Sequence, residues 1–154
     1  MAITYQKEKF ADIMPELPDL FVEHWEHLAH HRDVIKLDPA WNEYLDLEKR
    51  GKLHIITVRK DGVLVGYAFG MLYHHLHYRS TLYAHSDMFI ISKKARDGFA
   101  SGVRVHRLLK EFLGMMRDLG AKKVYVSFKV DHDLTTVVER LGMKFVEKLY
   151  HIVF

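Results

Sequence analysis

Residues 88–112, MFIISKKARDGFASGVRVHRLLKEF, pass from an apolar run through a basic, glycine-bearing loop into a helix-spaced segment. Past the loop, Val105, Leu108, Leu109, Phe112, Met116 and Leu119 recur at helical spacing, tracing one face of a long amphipathic helix that Gly120 stops. Such a junction gathers backbone N–H groups that have no intrahelical partner at the positive end of the helix dipole, where an anion is the natural guest. Gly98 and Gly102 permit tight conformations and a close approach to the main chain, Ser101 can cap the helix or donate its hydroxyl, and Arg96 and Arg104 add charge. A plain change of direction with a serine cap would use the same residues, so the loop alone leaves two readings open.

Upstream, PELPDLFVEHWEHLAHH places Leu17, Leu20, Phe21, His24 and Leu28 at helical spacing, which predicts a helix over about Pro18 to His31. In LDPAWNEYLDLEKRGK, Asp38 is expected as N-cap with Pro39 at the first helical position and Gly51 just past the end. LHIITVRKDGVLVGYAFGML reads as two strands joined by Asp61-Gly62, a strong hairpin signal. The histidine-rich YHHLHYRS is expected as a strand end and loop, followed by a strand in TLYAHSDMFIIS. Downstream of the long helix, KKVYVSFKV is a strand, and Asp131 or Asp133 caps a short helix with Leu134, Val137, Val138 and Leu141 on one face. Gly142 closes that helix and KFVEKLYHIVF is expected as the last strand. With ITY as the first strand the order is β-α-α-β-β-β-α-β-α-β, a mixed α/β fold in which an antiparallel meander is followed by strand–helix–strand crossovers.

The chain has 154 residues, enough for one compact domain, expected to span residues 1–154. With 49% hydrophobic and 28% charged residues it has the balance of a folded globular protein. No run reaches the length needed to span a bilayer, and MAITYQKEKF lacks the apolar centre of a secretory signal, so a cytoplasmic location is expected. The absence of cysteine excludes disulfides, a thiolate nucleophile and cysteine-bound zinc. A net charge of +3 with scattered basic residues predicts no nucleic-acid partner and suits a phosphate-bearing ligand.

Taken together, the strand ending in DMFII, the loop RDGFASG, the long helix and the later ERLGMKF resemble the GNAT superfamily of acyl-CoA-dependent N-acyltransferases. The early EHWEHL, KLDPAW and GKLHIITVRKDGVLVGY are similar to its small, phage-type members, and the resemblance covers the whole chain. Two departures stand out. Counting from Arg96, the glycines fall at the second and sixth following positions where the family pattern has the third and fifth, and Val138 occupies the place of a tyrosine that protonates the leaving thiolate in many members.

The resemblance implies acetyl-CoA as co-substrate and an amine as acceptor, with direct transfer between them. It implies that the fourth and fifth strands splay, that the pantetheine arm pairs with the backbone of Phe89, Ile90 and Ile91, and that the pyrophosphate rests on Arg96, Asp97, Gly98, Phe99, Ala100, Ser101, Gly102 and Val103. The acceptor would lie against the first long helix, where Glu23, Glu26, His27 and His30 make a polar stripe. Glu26 is the first choice for binding or deprotonating the amine, Glu23 and His27 for binding it, with an ordinary solvated helix face as the other reading. Asp87, a carboxylate inside an apolar strand, is a catalytic candidate or a structural one. His85 shares its strand face by the two-residue period, and Tyr150 is a substitute proton donor.

Twelve histidines invite a metal reading. His27 and His31 have a helical pair's spacing and His75 and His77 share a strand face, but no third ligand follows from spacing and none is expected to bind metal. A non-catalytic binding module on the same fold is the main alternative function. The apolar end YHIVF could add a strand across a homodimer.

Overall fold

A computed structural model describes residues 2–98 and 100–154, with the main chain only at Asp87. Five strands form one sheet in the order β1-β2-β3-β4-β5: β1 (Ile3–Glu8), β2 (Leu53–Lys60), β3 (Val63–His75), β4 (Tyr78–Ile91) and β5 (Lys123–Val126). The first four pair antiparallel, and β4 pairs with β5 parallel across α4 (Ala100–Asp118). The expected mixed α/β class holds, and so does the element order up to the last strand, except that a short helix, Phe10–Ile13, precedes the two expected between β1 and β2. Residues 143–154 join no ladder, so the strand expected over KFVEKLYHIVF is absent from the sheet.

Strand alternation sends side chains to two cores. On one face Ile56, Val58, Ala68, Leu72, Ala84, Phe89 and Ile91 pack against Leu108, Leu109, Phe112, Met115 and Met116 of α4, with α5 (Thr135–Arg140) beside them. On the other, Leu53, Ile55, Tyr67, Phe69 and Ile90 pack against α1 (Phe10–Ile13) and α2 (Leu17–Leu28), with α3 (Trp41–Lys49) outside. Helices therefore cover both faces.

Asp61 and Gly62 both have positive φ, 50° and 83°, as a two-residue hairpin requires. A second hairpin replaces the loop expected in YHHLHYRS: β3 runs to His75 and β4 begins at Tyr78, with the His75, His77 and Tyr78 rings packed at its tip. Asp38 does not cap α3. That helix starts at Trp41 behind Ala40, which offers no side-chain cap. Helix α2 stops at Leu28, short of His31, because Ala29 turns extended and His31 takes a φ of 56°. Neither candidate is the N-cap of α5, which is Leu134, although Asp133 just before it accepts from the Thr135 amide at 2.9 Å.

Gly66 sits where β3 passes closest to β4: a Cβ there would lie 2.6 Å from the Ile90 carbonyl oxygen, a backbone atom that cannot swing aside. Gly66→Ala is expected to cost about 2–3 kcal/mol of stability through forced strand separation. Urea denaturation checks this, and an unchanged midpoint would refute the close approach. Among the described residues no helix is long and apolar enough to cross a membrane.

Candidate active site

The sheet opens between β4 and β5. They pair only from Tyr83–Lys123 to Ser86–Val126, with one more bond at each end, from the Lys122 amide to the Leu82 carbonyl and from the Ser127 amide to the Ser86 carbonyl. β4 continues along β3 to Ile91, so its main-chain groups pointing away from β3 beyond Ser86 meet no β5 partner. The opening coincides with a bulge: Phe69 faces Met88 while Met71 faces His85, so the single residue Gly70 spans both Ser86 and Asp87. A bulge bends its strand and re-aims side chains. His85 lines the α2-side cavity together with Met88, which breaks the two-residue period expected to put His85 and Asp87 on one face. The Asp87 side chain and Phe99 lie outside the described residues. Phe89, Ile90 and Ile91 bury their side chains in the two cores, leaving only main chain for a ligand.

The loop after β4 is held from both ends. Glu23 of α2 accepts from Ser92 Oγ and from the Lys93 amide, each at 2.7 Å. Burial alone would raise its carboxyl pKa, yet the two hydrogen bonds and the nearby Arg96 and Lys93 charges hold it below the ordinary carboxylate value. Glu23 is thus a positioning residue of the loop. At the other end Arg104 donates to the Ala95 carbonyl and, at 3.2 Å, to Asp97. The Ala100 and Ser101 amides donate back to the carbonyls of Asp97 and Gly98, so part of the expected amide cradle is taken within the turn. A Cβ on Gly98 or Gly102 would meet no atom of the described residues, and Val103 is exposed.

Arg96 turns toward α2: Nη1 meets His27 Nε2 at 2.8 Å and Nη2 lies 3.7 Å from Glu23. Its Nε and Nη2 are nevertheless buried with no hydrogen-bond partner among the described residues. A buried guanidinium with unmet donors suits an anionic guest. Burial, then Arg96 and His132, push the His27 pKa down, keeping a neutral ring that accepts from Arg96.

On the α2 side of the opening lies a cavity of about 630 Å³, bounded by α2, α3, the segment between them and β3–β4. His85 stands where the cavity meets the β4–β5 opening, its Nε2 2.6 Å from Ser127 Oγ just past β5. Deeper in, the Tyr67 hydroxyl and His24 Nδ1 are 2.6 Å apart, and burial pushes the Tyr67 phenol well above its usual pKa. Tyr44 donates to Met88 Sδ at 3.4 Å. His24, Tyr44 and Tyr67 escaped the sequence reading, although a histidine on α2's apolar stripe was a visible signal.

Two expected catalytic residues are elsewhere. Glu26 is exposed and outside the cavity wall, because the α2 face turned to the cavity is Phe21, His24, Trp25 and Leu28. Tyr150 is 83% exposed in the segment that joins no ladder. His30 pairs with Asp131 at 3.0 Å, and Val138 packs against the α4 core. Among the described residues no group of three side chains could hold a metal ion.

No protein-family model matches the sequence, and no curated protein matches it. Solved structures do. Glucosamine-6-phosphate N-acetyltransferase from Arabidopsis thaliana superposes with a TM-score of 0.71 at 12% identity, over 100% of this chain and 99% of that one. A ribosomal-protein-alanine N-acetyltransferase from Brucella melitensis biovar Abortus gives 0.70 at 15% identity, over 99% of each chain. An aminoglycoside acetyltransferase from an uncultured soil metagenomic sample gives 0.69 at 11%, over 99% of this chain and 95% of that one. Over nearly the full chain, this protein has the fold of these acetyltransferases, the fold that the GNAT resemblance leads one to expect.

Proposed function

We propose that the protein is a cytoplasmic, single-domain N-acetyltransferase that moves an acetyl group from acetyl-CoA directly to a primary amine. The observation that carries this reading is the unpaired stretch of β4 beyond Ser86, which ends at the His85–Ser127 pair and faces a cavity. The residues present fit acetyl-CoA. Main chain at Phe89, Ile90 and Ile91 would hold an extended amide-bearing arm, Arg96 with its unmet donors would face the negative charge of the coenzyme, and main chain at Gly98 and Gly102 would take phosphate. When bound, acetyl-CoA supplies a thioester carbonyl for attack.

The chain's own residues then position and deprotonate the amine. An ammonium arriving through the cavity must lose a proton before its nitrogen lone pair can attack. His85 accepts it, directly or through the Ser127 hydroxyl, and Ser127 fixes the imidazole's orientation. Calorimetric titration with acetyl-CoA, followed by detection of free thiol on adding amines, tests the reading. No binding at high micromolar ligand would refute the enzyme and leave a non-catalytic binding module.

We further propose a homodimer through residues 144–154. Phe145, Val146, Leu149, Tyr150, Ile152 and Phe154 are all largely exposed, Leu149 by 92% and Phe154 by 103%. They present on the order of 800 Å² of apolar surface, about what one partner buries in a standard interface and more than monomers usually leave open. A two-fold axis between Glu147 and Lys148 would pair each carboxylate with the partner's ammonium, and Phe145 with the partner's Tyr150. Light scattering is expected to give a dimer, Glu147→Lys a monomer, and the double variant Glu147→Lys, Lys148→Glu a dimer again. A monomeric wild type would overturn this interface.

A further inference from the structure

The cavity's chemistry narrows the acceptor, an inference that rests on the acetyltransferase reading. Its inner polar atoms already bond one another: Tyr67 with His24, His85 with Ser127, and Tyr44 with Met88. A polyhydroxylated sugar placed there would have to compete with these bonds for partners, at about 1–3 kcal/mol for each hydroxyl left unpaired. The walls are apolar. Trp25 and Leu28 come from α2, Ile35 and Leu37 from the segment before α3, and Met71 from β3, with Ile35 more than half exposed. Charge on the lining is balanced, with Asp38 and Glu43 against Lys36 and Lys129. A polyamine or other polycation would need carboxylates in excess, and a phosphorylated acceptor would need cations in excess. One ammonium, in contrast, is met by His85 beside the β4–β5 opening.

We propose that the acceptor is a monoamine carried on an apolar, ring-sized body, of the arylalkylamine type. Its ring lies against Trp25 and the neighbouring aliphatic wall, and its amine reaches His85. The amine nitrogen forms the new N–C bond with the acetyl carbonyl carbon, the C–S bond breaks with its electrons on sulfur, and the amine's proton passes to His85.

The test compares phenethylamine, ethylamine, spermidine and glucosamine as acceptors in the free-thiol assay, with calorimetry of phenethylamine alone as a second readout. Burial of the ring is expected to raise kcat/KM for phenethylamine about 10- to 100-fold over ethylamine. Trp25→Ala is expected to shrink that ratio about tenfold, chiefly through KM. Spermidine or glucosamine matching phenethylamine, or a ratio indifferent to Trp25→Ala, overturns the proposal while leaving acetyl-CoA binding and the enzyme reading intact. If acetyl-CoA itself fails to bind, the enzyme reading falls instead. Phenethylamine binding that Trp25→Ala weakens would then still support the cavity's preference, and its absence would refute that too.

Discussion

His85→Ala is expected to lower kcat about 100- to 1000-fold while changing the acetyl-CoA Kd less than twofold and leaving the melting temperature near wild type. The separation follows from position. His85 lines the acceptor cavity beside the last paired residues of β4 and β5, whereas the loop and the open edge of β4 lie further along. A positioned base typically contributes this much, and its loss removes a transition-state interaction without touching ground-state binding of the other substrate. Ser127→Ala is expected to cost less, about tenfold, because the imidazole stays but loses its orienting partner. Steady-state rates with free-thiol detection read both. A His85→Ala enzyme at wild-type rate would move the base to another group, with Asp87 the next to test.

Glu23→Ala is expected to weaken acetyl-CoA binding about tenfold and to cost about 2 kcal/mol of stability. It removes the acceptor for the Ser92 hydroxyl and the Lys93 amide at once and leaves Arg96 with less of its charge met. Arg96→Ala should weaken acetyl-CoA binding at least as much, but with kcat at saturating acetyl-CoA little changed. The pH dependence has a definite sign. A carboxyl whose folded pKa is below its unfolded value near 4.5 stabilises the fold fully above that value and loses its contribution as pH falls through the lower, folded value. Glu8 and Glu16, both held below the ordinary value around Arg59, act in the same direction. Burial would raise Glu8, but hydrogen bonds from Arg59 and Thr57 outweigh it, and for Glu16 the Arg59 hydrogen bond leads. Denaturation midpoints should therefore hold steady from pH 7 to about pH 5 and drop below about pH 4.5, and Glu23→Ala should flatten part of that drop. A midpoint that rises on acidification would refute the arrangement.

How far the site could be read from sequence differs by residue. The strand–loop–helix junction was legible because glycines and a helix-period apolar face are local signals, whereas Ser101, a candidate cap, lies inside α4. The hairpin at Asp61-Gly62 was legible for the same reason, since both residues must take positive φ. The roles of Glu23 and Glu26 were not. Both sit on the polar stripe of α2, and spacing alone treats them alike. Only the packing of α2 on the sheet turns Glu23 to Ser92 and Lys93 and leaves Glu26 in solvent. Arg96 was chosen for phosphate by its place in the loop, yet its partners are on a helix almost seventy residues away.

By itself the sequence determined the strands β1 to β5 with their hairpin, the long apolar-faced helix α4 and the loop at its start, all consequences of periodicity and of what glycine and proline permit along a few residues. Only the tertiary structure decided which side chains meet at the cleft. The bulge opposite Gly70 shifts β4 by one residue, so His85 and Met88 line one cavity although the two-residue period separates them. Likewise the final apolar run carries strand-like residues but joins no ladder, because a strand exists only where a neighbouring backbone offers its hydrogen bonds.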